Sequence, residues 1–302
     1  MIESERKKEK EPHFKVPIID IFRHGETEYK ELADPNFMLN PDAPGFALDA
    51  EHLDLTEEGI RNIQEAAEQL ALIIDKEKEA VILVTSPQLR ALSSIMIIEK
   101  VFAEHGIIML NSTSEKRKGI SKGIKNSSLG LGQISFREDL KNAGFGKIWL
   151  KAHKQYGIEH PEAKNIPPAE VHGLVATALG KELPDIFSKS HDEIASGFKR
   201  FLRHLINIEI YLQNGTKQQL AGRRLRIVLV THEERIMEFA QQSLDLEKTV
   251  AKGQLLEINP KGIIKKDQEA EADVRLFGKR GELDLSSRIK MKFSQDGLSI
   301  GH

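Results

Sequence analysis

Three short apolar runs constrain this chain most: Ile18-Ile19-Asp20-Ile21-Phe22, Val81-Ile82-Leu83-Val84 and Leu225-Arg226-Ile227-Val228-Leu229-Val230. Runs of this length without strict alternation suit strands covered on both faces, the pattern of a parallel sheet packed between helices. Each run ends abruptly in polar residues: Arg23-His24-Gly25, Thr85-Ser86-Pro87 and Thr231-His232-Glu233. The carboxyl ends of parallel strands lie along one edge of a sheet, and ligands bind there. Arg23 and His24 are therefore placed to meet a substrate rather than to fill a core.

The segments between the runs read as helices. Thr56 is an N-cap, Glu57 and Glu58 suit the positive end, and Ile60, Ile63, Ala67, Leu70, Ala71 and Ile74 mark one face. Ser86 as N-cap and Pro87 at the first helical position open a second helix through Leu89, Leu92, Ile95, Met96 and Val101, with Gly106 at its end. Arg90 falls in its first turn. A third helix is expected over 192–212 and a fourth over 236–246. Leu255 to Ile258 reads as a short strand closed by Asn259-Pro260.

The expected organisation follows. Residues 1–14 form a charged, disordered tail, residues 15–264 an α/β domain, and residues 265–302 a charged extension with possible edge strands. Residues 31–54, with Pro35, Pro41, Pro44 and Gly45, form a long loop expected to reshape the mouth of a pocket. An insertion spans about residues 107–190. Its first part, rich in Lys116, Arg117, Lys118, Lys122 and Lys125, reads as an exposed flexible loop.

Composition excludes several classes of function. With 44 basic and 46 acidic side chains among 302 residues, no net field draws the chain to nucleic acid or to a membrane surface. No apolar run approaches the ~20 residues that cross a bilayer. The chain contains no cysteine, which removes disulfides, thiol nucleophiles and thiolate metal sites. Residues 1–12 are charged and lack the apolar core of a secretory signal, so a cytoplasmic location is expected. His13, His52, His105, His153, His160, His172, His191, His204 and His302 show no metal-ligand spacing, and surface or structural roles are expected for them.

Two histidines and two arginines at converging strand ends suit a phosphoryl group. Guanidinium forks match phosphate oxygens, and helix amino termini add donors. A neutral imidazole among such cations is a capable nucleophile at phosphorus, with the developing charge on the oxygens already met.

Arg23-His24-Gly25-Glu26-Thr27, Leu55-Thr56 with Gly59 and Gln64, Ser86-Pro87 with Arg90-Ala91, and Val230-Thr231-His232 resemble, in order and context, the histidine phosphatase superfamily and its phosphoglycerate-mutase-like branch. The resemblance covers roughly residues 16–260. It implies a three-layer doubly wound α/β fold, with a mostly parallel sheet, helices on both faces and an inserted cap-like segment. It implies that His24 is transiently phosphorylated while Arg23, Arg90 and His232 bind the phosphoryl group. Neither a metal nor another cofactor is implied. A carboxylic acid between the second and last motif strands would protonate the leaving oxygen. Glu138 is the choice here, with Asp139 and Glu233 as alternatives.

The implied activity is hydrolysis of a phosphorylated small molecule or phosphoprotein. A phosphomutase with the same site is one alternative, and a non-catalytic phospho-ligand binder is another. Two departures stand out. Lys30 occupies a position where the family often has Asn, which puts one phosphate contact in doubt. Leu92-Ser93-Ser94 stands where Thr-Ala is commoner, and a packing difference is expected there. Arg61 reads as a solvated helix charge.

Overall fold

The computed structural model describes the chain except residues 1–14, 35, 111–115, 118–119, 122–123, 127–137, 167, 183–185, 187–190, 209–219, 234, 237–251, 253, 261–268, 278–282, 295–296 and 302. The expected N-terminal tail and most of the expected helix over 236–246 lie outside the described residues. So does much of the lysine-rich part of the insertion.

The three apolar runs form β1 (Ile18–Arg23), β2 (Glu79–Thr85) and a long strand at Arg224–Thr231. The last is β6 in chain order, because Lys116–Arg117, Ile120–Ser121 and Ile124–Asn126 are short strands β3, β4 and β5. β6 lies between β1 and β2, parallel to both, with Phe22 opposite Val230 and Val84 opposite Leu229. On the other side of β1, β7 (Leu255–Pro260) runs antiparallel. The central set β7-β1-β6-β2 is thus mixed and mostly parallel.

The sheet extends at both edges. β5 pairs in parallel with β2, so Ile124–Asn126 is an edge strand within a segment expected to be a flexible loop. At the other edge, β8 (Glu269–Phe277), β9 (Leu283–Ser294) and β10 (Gly297–Gly301) add successive antiparallel strands. The full eight-stranded sheet is therefore half antiparallel, where the sequence suggested a mostly parallel one. Short connections explain the three pairings from β7 to β10, because only antiparallel neighbours can be joined without a long crossover.

Helices cover both faces. α2 (Glu57–Ile73) and α3 (Leu89–Glu104) pack through Ile60, Ile63, Leu70, Ile95, Ile98 and Phe102 onto the face carrying Phe22, Val81, Leu83, Val228 and Val230. Thr56 caps α2 by accepting from the Gly59 N–H at 3.0 Å, a bond worth about 1 kcal/mol. α3 begins at Leu89 rather than at Pro87, with Gln88 as its N-cap, so Ser86 does not cap it.

The opposite face, with Ile19, Ile21, Ile82, Ile227, Leu229 and Ile258, is covered by His191–Ile206 through Phe198, Leu202 and Leu205. That helix is α7 in chain order. α1 (Lys30–Ala33) and a 3-10 turn at Phe46–Leu48 interrupt the loop after β1. The insertion folds into α4 (Glu138–Asn142), α5 (Phe145–Glu159) and α6 (Pro168–Ala178), and α5 packs against α1. Its helices share a small core of their own, including Phe145, Trp149, Val175 and Ala176.

Candidate active site

The parallel arrangement brings the ends of β1, β2 and β6 together. The first turn after β1 is held by close backbone approach. A Cβ on Gly25 would lie 2.7 Å from the Gly59 carbonyl oxygen, and one on Gly59 would lie 2.1 Å from the Glu26 oxygen. No side chain fits at either position, so α2 can seat its first turn directly against residues 25–26. The Thr56 N–H completes the contact by donating to the Glu26 carbonyl at 3.0 Å.

His24 and His232 are both buried, with ring centroids 5.1 Å apart and an edge-on orientation. His24 Nδ1 lies 2.8 Å from the Gly25 carbonyl oxygen. A carbonyl only accepts, so Nδ1 carries the proton and Nε2 keeps its lone pair. Burial, and then the charges of Arg90 and Arg23, hold His24 well below the ordinary imidazole range; the Gly25 hydrogen bond opposes this. His24 is therefore neutral at physiological pH.

His232 follows the same rule with its nitrogens reversed. Its Nε2 lies 2.7 Å from Ser86 Oγ and 3.0 Å from Gln88 Oε1. The Ser86 hydroxyl donates to Gln88 Oε1 at 2.9 Å, so the serine oxygen accepts from His232 Nε2–H. Ser86 thus fixes the second histidine instead of starting a helix. His232 Nδ1 is buried and meets no hydrogen-bond partner among the described residues. Burial, then Arg90, His24, Arg235 and Arg23, keep this ring neutral as well.

Both arginines are buried, and each faces a carboxylate. Arg23 Nη1 donates to Glu233 Oε1 at 2.7 Å, and its Nη2 pairs with Glu233 Oε2. Arg90 Nη1 lies 3.5 Å from Glu31 Oε2, the oxygen that also accepts from the Leu89 N–H at 3.0 Å. The Arg90 guanidinium sits 5.3 Å from the ring centre of Tyr29, a residue in the left-handed region with φ 56°.

The structure thus gathers Arg23, His24, Arg90 and His232 at one sheet edge. Glu138 is the first residue of α4, and its side chain lies outside what the structure describes. Its neighbour Asp139 is exposed. Arg61 is exposed and lies 3.8 Å from Glu57 on its own helix. Lys30 turns away from the strand ends: its Nζ donates to the Leu53 carbonyl at 3.0 Å and to that of Ala50. It ties down the long loop.

Several participants escape a sequence reading. Lys252 pairs with Glu26 at 2.5 Å and adds positive charge near His24. Arg235 is buried next to His232. Ser94 accepts from the Gly25 N–H and Ser93 from the Asp54 N–H, so they do not merely adjust packing. Among the described residues, no group of three or more His, Asp or Glu could hold a metal ion, and no helix is long and apolar enough to cross a membrane.

No family model matches the chain, and no curated protein is similar to it. Among solved structures, it overlays on phosphoglycerate mutase from Bacillus anthracis str. Sterne with 16% identity, covering 81% of this chain and 88% of that one at a TM-score of 0.38. A mycobacterial glucosyl-3-phosphoglycerate phosphatase gives 13% identity, 86% and 97% coverage and a TM-score of 0.38. A phytase of Klebsiella sp. ASR1 gives 12%, 94% and 90%, and 0.35. Overlays this loose carry no weight for activity. The geometry of the four residues does.

Proposed function

We propose that this chain is a phosphomonoester hydrolase of the histidine phosphatase type, acting through a phosphohistidine on His24. One observation carries the reading: His24 is a buried neutral imidazole whose Nδ1 proton is committed to the Gly25 carbonyl, leaving Nε2 as a lone pair among guanidinium groups. In the first step Nε2 attacks phosphorus, the bond to the leaving oxygen breaks, and a carboxylic acid supplies that oxygen with a proton. In the second, the resulting carboxylate takes a proton from water as the water oxygen attacks phosphorus. The N–P bond breaks, inorganic phosphate leaves, and the Nε2 lone pair returns.

Arg23 and Arg90 would meet the phosphoryl oxygens. A dianion would offset the positive charge that keeps His232 neutral, letting its Nδ1 take a proton and donate to a phosphoryl oxygen. Glu138 is proposed as the acid. Glu233 suits that role less, because both its carboxylate oxygens are engaged by Arg23. The substrate class is a phosphorylated small molecule or phosphoprotein.

The test is to trap the phosphoenzyme with p-nitrophenyl phosphate under alkaline quench, in the presence of chelator. The wild-type chain should form an alkali-stable, acid-labile phosphoenzyme and release inorganic phosphate. His24→Ala should form none and fall to background turnover. Undiminished activity in that variant would overturn the mechanism, and transfer to a second acceptor without phosphate release would identify a mutase. Glu138→Gln should slow hydrolysis of alkyl phosphates by roughly 10²–10⁴, with far less effect on p-nitrophenyl phosphate, whose leaving group needs no proton. Equal slowing of both would move the acid to Asp139 or Glu233.

A further inference from the structure

Ser94 lies one helical turn beyond Arg90 on α3, and its side chain is fully buried. Its hydroxyl makes two hydrogen bonds. It donates to the Arg90 carbonyl at 2.8 Å and accepts from the Gly25 N–H at 3.1 Å. The Gly25 carbonyl in turn accepts from His24 Nδ1 at 2.8 Å. A single oxygen therefore links the residue that orients the nucleophile to the backbone of the arginine expected to hold the phosphoryl group. Glycine 25 is held at both its polar groups, and the backbone of Gly59 closes the space where a side chain would be.

Ser93 repeats the device one residue earlier. Its Oγ accepts from the Asp54 N–H at 3.2 Å. Asp54 in turn receives the Lys30 N–H at 2.7 Å on Oδ1 and the Thr27 hydroxyl at 2.6 Å on its carbonyl. Successive serines on α3 thus fix the nucleophile loop on both sides of Glu26.

We infer that Ser94 is a positioning residue that sets the tautomer of His24 and its register against Arg90. The inference rests on His24 being the nucleophile proposed above. Without the hydroxyl, the Gly25 N–H is buried beside an apolar surface, and the turn gains by rotating to find another partner. That rotation withdraws the carbonyl that holds the proton on Nδ1. Nε2 then carries the proton in part of the population, and that part cannot attack phosphorus. Loss of one buried partner shifts such an equilibrium by roughly 10- to 100-fold.

The experiment compares Ser94→Ala, Ser94→Val and Ser94→Thr in the full chain. It measures side-chain ¹⁵N NMR of labelled histidines and the single-turnover rate of His24 phosphorylation by p-nitrophenyl phosphate. The wild-type chain and Ser94→Thr, which keeps the hydroxyl, should show His24 protonated at Nδ1. Ser94→Ala and Ser94→Val should show a mixed tautomer and phosphorylation slowed roughly 10- to 100-fold, with KM changed less than the rate. Alanine removes only the hydroxyl, so the comparison stands even where valine prevents folding. A wild-type tautomer and rate in Ser94→Ala would overturn the assignment. A wild-type chain that forms no phosphohistidine, while Ser94→Ala still shifts the tautomer, would remove the functional reading and keep the role of Ser94.

Discussion

Two groups of buried charges lie at opposite ends of the same strands, and they balance charge in opposite ways. Toward the amino ends, Arg226 on β6 donates from Nη1 to Asp20 on β1 at 2.9 Å and to Glu257 on β7 at 3.0 Å, and from Nε to Glu79 on β2 at 2.6 Å. One guanidinium faces three carboxylates. Burial is the main cause that pushes Asp20 up to about 7, against the pull of Arg226, so this group sheds excess negative charge by taking a proton. Past the carboxyl ends, Arg23 and Arg90 surround two imidazoles that stay neutral. There burial, and then the neighbouring positive charge, keep protons off the rings. The first cluster is closed by its own counter-ions from neighbouring strands. In the second, Arg23 and Arg90 face Glu233 and Glu31 from outside the sheet core, and under the function proposed above an incoming anion would meet them there.

Arg226→Met should have the largest effect. It leaves the buried Asp20 and Glu257 and the partly buried Glu79 without their cation and should cost about 3–5 kcal/mol of stability, read from denaturant melts. Turnover of p-nitrophenyl phosphate by the fraction that stays folded should change little under the function proposed above, because these ion pairs lie toward the amino ends of the strands and the candidate site lies past their carboxyl ends. Loss of activity without loss of stability would show that the two ends are not independent.

Arg90→Ala attacks the other end. It should lower kcat/KM by roughly 10²–10³, as expected when a preorganised cation is removed from a site of developing charge. It should also let His24 and His232 titrate closer to the ordinary imidazole range, because the Arg90 charge follows burial as the next cause holding each down. Histidine ¹³C or ¹⁵N titration checks the second effect. Unmoved titrations would remove Arg90 from the site's electrostatics.

The two ends should also give opposite slopes of stability against pH. Asp20 has a raised pKa in the folded chain, so between about pH 4 and 7 the folded state holds a proton that the unfolded state has lost. Its contribution falls as pH rises through that window, by up to roughly 1.4 kcal/mol per unit. His24 and His232 are depressed, so their contribution is lost as pH falls below about 6.5, where the unfolded chain takes up protons. Asp20→Asn should remove the falling component and leave the rising one, measured as melting free energy across pH 4 to 8. An identical profile in wild type and variant would contradict the assignment. Thr56→Ala sets the small end of the scale, at about 1 kcal/mol, since it removes the N-cap bond and a long hydroxyl contact to the Glu26 carbonyl but leaves both charge clusters.

Legibility in the sequence follows the range of the forces involved. The apolar runs of β1, β2 and β6 were readable because burial on both faces demands consecutive apolar residues. The cap at Thr56 was readable because its bond spans only three residues. His24, Arg90 and His232 were readable as a set because each follows directly on a strand or opens a helix. Ser86 was misread as a cap: the nearest free backbone amides were local candidates, while its actual partner, His232, is 146 residues away. Ser93 and Ser94 suggested packing for the same reason. Lys30 gave no sign that its ammonium would turn into the carbonyls of Ala50 and Leu53. Arg226, Asp20, Glu79 and Glu257 each looked like an isolated polar residue in or beside an apolar strand.

By itself, then, the sequence determined which segments are buried strands, which helices cover them, and which histidines and arginines stand at the strand ends. Hydrophobic periodicity and local capping carry that information within a few residues. The tertiary structure decided the rest: the strand order that brings β1, β6 and β2 side by side, the tautomers of His24 and His232, and the carboxylates that balance each arginine. These depend on hydrogen bonds and charges between residues far apart in the chain. Such pairings have no local signature, because their partners meet only after the sheet has formed.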